Sequence, residues 1–276
     1  MPTIAGDRPV LVRRRYVCDY EVGERPRPAP DGLLRRGRLG LLPLSSVACV
    51  ATDERVVALT YDDGPDPGQT PDVLDALSEA GARATFFVLV DRAVEHPDLI
   101  RRISADGHEI GLHGEDHTRL TTLPVLESLR RIRRGKRRLE ELTGQPVTLF
   151  RPAYGAQTVA QAVGTRASGL EIVLWTAWAR DWEDAAAAEV AARSFAALHA
   201  GGFLLLHDAT GDLEPPPGPS PTFHRGEVTR RLLADMKFSG WTSEGVGALM
   251  GRYPVVRTVW AHRLVSVDRR YGDDLG

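Results

Sequence analysis

Two adjacent carboxylates, Asp62 and Asp63, close the apolar run Val56-Val57-Ala58-Leu59-Thr60-Tyr61 and stand just before a turn at Gly64-Pro65. Neighbouring carboxylates repel each other unless a cation lies between them or one of them handles a proton. Asp-Asp-Gly-Pro is also ordinary turn chemistry, so the pair alone leaves the choice open. A second stretch, Gly111-Leu112-His113-Gly114-Glu115-Asp116-His117, again follows an apolar run. His113 and His117 are four apart, so one helical turn or a tight loop puts both imidazoles on one side. With one carboxylate from the first stretch they make a two-His, one-Asp set, which leaves positions open for water and substrate around a divalent cation. Three more stretches offer polar groups in similar settings: Phe150-Arg151-Pro152-Ala153-Tyr154-Gly155, the segment from Trp175 to Asp181-Trp182, and Leu204-Leu205-Leu206-His207-Asp208.

These residues need a scaffold that brings distant segments together. From Val56 onward strand-like and helix-like runs alternate. Strands are expected over Val56–Tyr61, Ala84–Val90, His108–Leu112, Thr148–Arg151, Glu171–Trp175, Phe203–His207 and near Trp241. Helices are expected over Thr70–Ala80, Pro97–Ala105, Pro124–Leu142, Thr158–Ser168, Ala185–Ala200 and Glu227–Met236. Such alternation predicts an α/β fold with parallel strands and helical crossovers, and about seven repeats suggest a barrel. Active sites of barrels lie at the C-terminal ends of the strands, where each of the five stretches falls. The barrel is expected over residues 46–252, with an irregular Arg/Pro-rich extension at 1–45, polyproline-like at 25–30, and a tail at 253–276. Val47–Ala51 and Arg55–Tyr61, either side of Thr52-Asp53-Glu54, read as a β-hairpin.

The chain has 276 residues, with 35 basic against 37 acidic side chains and a formal net charge of -2, so no global field draws it to nucleic acid. Two cysteines, Cys18 and Cys49, are too few for a disulfide framework and suit a reducing compartment. No run reaches the roughly 20 apolar residues of a membrane span. The first residues lack a signal-peptide pattern. Leu33 to Arg38 followed by Leu39 to Val50 would mimic one if translation began later, but the hairpin accounts for that run. The expected location is the cytoplasm. The helix 124–142 carries Arg130, Arg131, Arg133, Arg134, Lys136, Arg137 and Arg138 opposite an apolar stripe of Leu126, Leu129, Ile132, Leu139 and Leu142. Its basic residues are expected on the outer face, solvated or in peripheral contact with anionic lipid or a phosphate-bearing substrate.

The order and context of the five stretches resemble the polysaccharide deacetylase family, the NodB-like carbohydrate esterases of family 4, across residues 55–250. The resemblance implies a distorted (β/α)7–8 barrel of the NodB homology type and hydrolysis of an N-acyl group, most simply N-acetyl, on an amino sugar or a small sugar-containing molecule. It implies Asp63, His113 and His117 as metal ligands, with zinc the first expectation and cobalt, nickel or iron(II) accommodated by the same open site. It implies Asp62 as catalytic base, His207 as general acid, Arg151 as the residue orienting the base and Asp181 as the one orienting the acid. Tyr154 would lend its backbone N–H to the developing oxyanion, and Trp182 with Leu205 or Leu206 would wall the acyl pocket. The chain departs from the family pattern at Gly114, where Ser or Thr is usual, at Ala153, where Pro is common, and at Thr176 and Trp178, where acidic residues are frequent. No ligand or proton carrier is lost, but the rim is expected to differ. The Pro-rich segment Thr210–Gly226 after His207 would cap the site, and Trp178 would stack on a single sugar ring, both favouring a compact substrate. Hydrolysis of another C–N bond, such as a formamide or cyclic imide, is an alternative. A non-catalytic carbohydrate-binding relative is a second, which the retained Asp62 and His207 argue against.

Overall fold

The computed structural model describes residues 10–12, 44–211 and 221–259. In chain order the elements are β1 (Val10–Val12), β2 (Ser45–Val50), β3 (Val56–Asp62), α1 (Thr70–Ala80), β4 (Ala84–Leu89), α2 (Val90–Glu95), α3 (Pro97–Ala105) and β5 (Glu109–Gly114). There follow α4 (Val125–Thr143), β6 (Leu149–Phe150), α5 (Val159–Ala167), β7 (Glu171–Ile172), β8 (Ala177–Trp178), α6 (Ala187–Ala196), β9 (Phe203–His207), α7 (Arg225–Phe238), β10 (Thr242–Ser243), α8 (Val246–Arg252) and β11 (Val255–Val259). The local signals explain several boundaries. α1 starts on Pro71, whose missing N–H has no intrahelical partner to lose, and stops at Gly81 in the left-handed region (φ 62°). α5 opens on a capping box in which Thr158 and Gln161 satisfy each other's backbone N–H.

The main sheet runs β7-β6-β5-β4-β3-β9-β8, with β10 added at the start of β3, and all its pairings are parallel. β3 reads VVALTYD and is buried along its whole length, as a strand covered on both faces must be. Its alternation sorts its side chains. Val57, Leu59 and Tyr61 enter the layer between sheet and helices with Leu74, Leu77, Phe86, Leu204 and Leu206. Val56 and Ala58 face inward with Phe87, Leu149, Val173 and Phe203. The curled sheet and its helices form the distorted barrel of the NodB type. Among the described residues no helix is long and apolar enough to cross a membrane.

The expected hairpin does not form. β3 has β4 on one edge and β9 on the other, so no free edge remains for β2. β2 instead pairs antiparallel with β11, Val50 opposite Val255, and β11 pairs in parallel with β1. Strands on either side of the 46–252 span thus share a three-stranded sheet with β2. Single bridges from Val47 to Val173 and from Cys49 to Gly202 tie β2 across the seam between the sheet's two ends. Sequence patterning also missed β8, α2 and α8. The polyproline-like residues 25–30, Cys18, and 212–220 within the Pro-rich segment lie outside the described residues. Cys49 is buried, and burial pushes its thiol up to about 12, so it is inert packing.

The seam depends on one glycine. Gly201 has φ +71°, and a Cβ there would lie 2.2 Å from the carbonyl oxygen of Val50. Its own carbonyl accepts from the Val50 N–H at 3.0 Å. Gly201→Ala should therefore destabilise the protein by about 2–3 kcal/mol through backbone strain and loss of this approach. A urea midpoint equal to wild type would show that the seam tolerates a side chain there.

Candidate active site

The inward parity of the strands selects the site. On β3 the inward positions include Thr60 and Asp62; on β9 they include Leu205 and His207, and on β5 Gly111 and His113, because the residues between them belong to the sheet–helix layer. Asp62 and His207 are register partners on adjacent strands. Asp63, one residue on, would point away if the strand continued. It takes a left-handed conformation instead (φ 75°), so both carboxylates turn into the mouth and are almost fully buried, at 3% and 4% exposure. Asp208 fixes this turn. Its Oδ1 accepts from the Gly64 N–H at 3.2 Å and its Oδ2 from Thr70 Oγ1 at 2.6 Å. A Cβ on Gly64 would overlap that carboxylate at 2.1 Å, so only glycine fits. Burial pushes the Asp208 carboxyl up to about 6.

Asp63 Oδ1 lies 3.2 Å from Nε2 of both His113 and His117, and one ligand atom from each of the three residues falls within 4.8 Å of the others. The His113 Nδ1–H donates to the Arg151 carbonyl at 2.8 Å, which leaves the lone pair of Nε2 aimed at Asp63. Asp63 Oδ1 is buried without a hydrogen-bond partner among the described residues. Burial alone would raise the Asp63 carboxyl, but the facing His113, His117 and His207 rings, whenever they carry a proton, hold it well below the usual carboxylate range, so it stays ionised. Burial depresses His117 to about 4, so its ring is neutral and able to ligate. Three converging lone pairs with no proton between them are a donor set that fits a divalent cation.

Asp62 is held from the other side. The Arg151 side chain is fully buried and donates from Nη1 to Asp62 Oδ1 and to Thr60 Oγ1, both at 2.7 Å. Its Nη2 donates to the Leu174 carbonyl at 3.0 Å, and the guanidinium lies 4.1 Å above the Phe87 ring centroid. Asp62 Oδ2 stays on the His113 side, 3.9 Å from Nε2. One oxygen is thus tied to a fixed cation while the other faces the mouth.

Across the mouth, His207 Nδ1 bonds Asp181 Oδ1 at 2.8 Å, and the His207 backbone N–H donates to Asp181 Oδ2 at 2.8 Å. Burial alone would lower the His207 imidazole, but the Asp181 carboxylate outweighs it and lifts the ring from 6.5 to about 9. A ring protonated at neutral pH can give up a proton. Arg225, at the start of α7, donates to Asp181 Oδ2 at 3.2 Å and to the His207 carbonyl at 2.9 Å. Neither Arg225 nor the clamping role of Asp208 was expected from the sequence. Arg225 lies at the end of the segment Thr210–Gly226, after its prolines and in no recognisable motif, and only the tertiary structure shows its partner.

The remaining expected residues divide. Tyr154 adopts a left-handed backbone (φ 59°) and sets its ring centroid 4.4 Å from that of His117 at a tilt of 47°. Trp182 meets His207 edge-on at 5.9 Å and Trp178 at 5.5 Å. Leu205 packs in the same inward cluster as Trp178 and Trp182. Leu206 does not; one residue on, it faces the helices and belongs to the main core. Thr176 is not on the rim, as expected, but buried, accepting or donating with His199 Nε2 at 2.8 Å.

The sequence profile of the polysaccharide deacetylase family matches residues 50–173. The chain is 32% identical over 174 residues to a chitooligosaccharide deacetylase of Rhizobium leguminosarum bv. trifolii, covering 63% of this chain and 80% of the relative. It is 35% identical over 160 residues to the peptidoglycan-N-acetylglucosamine deacetylase PgdA of Listeria monocytogenes, covering 57% of this chain and 33% of that protein. The chain thus spans about a third of the length of that larger relative. Its fold superposes on the peptidoglycan deacetylase PdaC of Bacillus subtilis with a TM-score of 0.62 at 28% identity, covering 73% of this chain and 93% of that one.

The His207–Asp181 pair makes a titration prediction. Because the folded pKa of His207 exceeds its ordinary 6.5, the pair contributes stability fully below about pH 6.5, and this contribution is lost as pH rises through about 9. In Asp181→Asn the largest raising interaction is gone and only Asp63 and Asp62 still oppose burial, so the imidazole should titrate well below about 9. NMR titration of the metal-free proteins reads this directly; an unchanged His207 midpoint in Asp181→Asn would show that Asp181 does not charge it.

Proposed function

The chain belongs to the polysaccharide deacetylase family, and from that membership we propose that it is a metal-dependent hydrolase removing an N-acyl group, most simply acetyl, from an amino sugar. The observation that carries the reading is the convergence on one strand-end mouth of a metal-ligand set, a carboxylate tied to arginine and a protonated histidine tied to aspartate. A carbohydrate-binding module would need neither proton carrier.

Asp63, His113 and His117 would hold the cation, with zinc the first choice for a mixed nitrogen and oxygen set. When bound, the cation supplies Lewis acidity at the acyl carbonyl and lowers the pKa of water in the site. The chain's own groups do the rest. Asp62, through the oxygen that Arg151 leaves free, takes a proton from the attacking water. Its other oxygen cannot rotate away without breaking a buried ion pair, a loss of about 3–5 kcal/mol when one partner is removed. His207 Nε2, on the ring face opposite the Asp181 bond, delivers a proton to the leaving nitrogen as the tetrahedral intermediate collapses. The Tyr154 backbone N–H would assist the oxyanion. Leu205 and Trp182 form an apolar wall suited to a methyl group, and Trp178 extends an aromatic face suited to one sugar ring.

Zinc-loaded protein should release acetate from N-acetylglucosamine derivatives or chitooligosaccharides. Asp62→Asn should keep the metal and lose about 10²- to 10⁴-fold in kcat, since it preserves shape and removes only the proton acceptor. Near-wild-type turnover by metal-loaded Asp62→Asn would exclude it as base.

The aromatic wall beside His207 supports a site that recognises a single ring. kcat/KM should then rise little from an N-acetylglucosamine monosaccharide conjugate to a chitin oligomer of several units. A steep rise with chain length would show a groove with several subsites instead.

A further inference from the structure

The two histidines of the ligand set are not held alike. His113 sits within β5, and its Nδ1 bonds the Arg151 carbonyl. His117 lies beyond the strand, and its Nδ1 is buried with no hydrogen-bond partner among the described residues. The Tyr154 ring packs on it, and Gly211 approaches its ring so closely that a Cβ would lie 2.5 Å away. These contacts limit the ring, but its height over the site is set by the backbone of Glu115 and Asp116, the two residues before it.

α4 grips those two residues. Arg131 donates from Nε to Glu115 Oε2 at 3.1 Å and from Nη2 to Asp116 Oδ2 at 2.6 Å, and Arg134 bonds both carboxylate oxygens of Glu115. Arg131, Arg134 and Gly135 are spaced three and four apart and so share one face of the helix. Gly135 explains the close approach: a Cβ there would already lie 3.3 Å from Leu112 and 3.4 Å from Glu115. A glycine within a helix costs about 1 kcal/mol relative to alanine, which this approach accounts for. The loop backbone is held too. The Glu115 carbonyl accepts from the Asp91 N–H at 3.0 Å, and Asp116 Oδ1 accepts from the Thr118 N–H at 3.0 Å. Gly114 lets the loop close, since a Cβ there would lie 2.7 Å from the Asp116 carbonyl oxygen. Electrostatics make the arginines necessary. Asp91, Glu115 and Asp116 are close enough to act on one another: the Asp91 carboxyl is raised first by burial and then by Asp116 and Glu115. Arg131 offsets this mutual repulsion.

We propose that Arg131, assisted by Arg134, is a positioning residue for His117, and that its ion-paired brace to Glu115 and Asp116 sets the affinity of the site for its cation. The inference rests on reading Asp63, His113 and His117 as the metal site. It also gives Arg131 an inward task in place of the outer face expected for it, while Arg134 reaches Glu115 from an exposed position. Partners that orient a ligand are typically worth about 10- to 100-fold in metal affinity.

The test is zinc binding by the metal-free full chain, measured by competition with a chromophoric chelator, alongside the unfolding midpoint of each metal-free protein. Arg131→Gln should bind zinc about tenfold or more weakly than wild type, and Asp116→Asn, which cuts the brace from the loop side, should do the same. Arg131→Lys should restore part of the affinity, because it returns one charge without the two-pronged geometry. Arg138→Gln, on the exposed outer face, should bind as wild type does. The metal-free midpoints should hardly move. Wild-type zinc affinity in both Arg131→Gln and Asp116→Asn would overturn the inference while leaving the metal site standing. A loss of affinity matched by an equal loss of metal-free stability would also overturn it, as the sign of a merely structural bond. Failure of the wild-type protein itself to bind zinc would bring down the metal reading, and this inference with it.

Discussion

Two carboxylates, adjacent in the chain and nearly sealed from water, are the demand that the rest of this protein answers. A buried charge costs several kcal/mol unless it is paired and hydrogen-bonded. Asp62 is answered by a guanidinium that is itself fully buried, and whose remaining donors are satisfied by Thr60 and by strand-end carbonyls. Asp63 is answered by two imidazole lone pairs and by the cation they would share. The backbone between them must leave the strand conformation to separate the two duties, and the left-handed turn at Asp63 does so. That turn is held by Asp208 from the neighbouring strand end, whose carboxylate occupies the space a side chain at Gly64 would need.

The opposite wall follows a different logic. His207 is charged chiefly by one carboxylate, that of Asp181, and that carboxylate is shared with Arg225. The arginine partly neutralises Asp181 and so limits how far His207 is raised. A proton donor held too tightly would not release its proton, so the shared carboxylate balances keeping the ring protonated against letting it react. The proposed base and the proposed acid therefore each rest on an arginine: Arg151 bonds Asp62 directly, and Arg225 reaches His207 through Asp181.

Much of this was legible in the sequence because strands announce themselves and strand ends are where barrel chemistry lies. The helix Thr70–Ala80 was read to the residue, since a proline and a glycine bracket it. What was missed has physical causes. The hairpin between β2 and β3 was a local inference, defeated by two other strands with a stronger claim to the edges of β3. β8 is two residues long and too short to show a period. Leu206 could not be told from Leu205 until the inward parity of β9 was known. Arg225 and the inward turn of Arg131 are choices of partner across the fold, and a charged residue carries no local mark of the acid it will meet. The outward basic face expected over residues 124–142 holds for Arg130, Arg133, Arg134, Arg137 and Arg138, which are exposed, and fails at Arg131 for the same reason.

β11, the partner of the seam strand β2, follows every strand of the barrel in the chain. Val50 pairs with Val255, whereas the last site residue placed by a strand of the barrel is His207. During synthesis at about 5–20 residues per second, several seconds separate the emergence of His207 from that of Val255. Every residue that would touch metal or substrate is therefore available to assemble, with β2 already made, before β11 exists. Closing a loop of this length costs about 5 kcal/mol of chain entropy in an unstructured chain, but much less once the intervening repeats have packed. The mouth and the β2–β11 pairing that backs the seam thus belong to different moments in the life of the nascent chain.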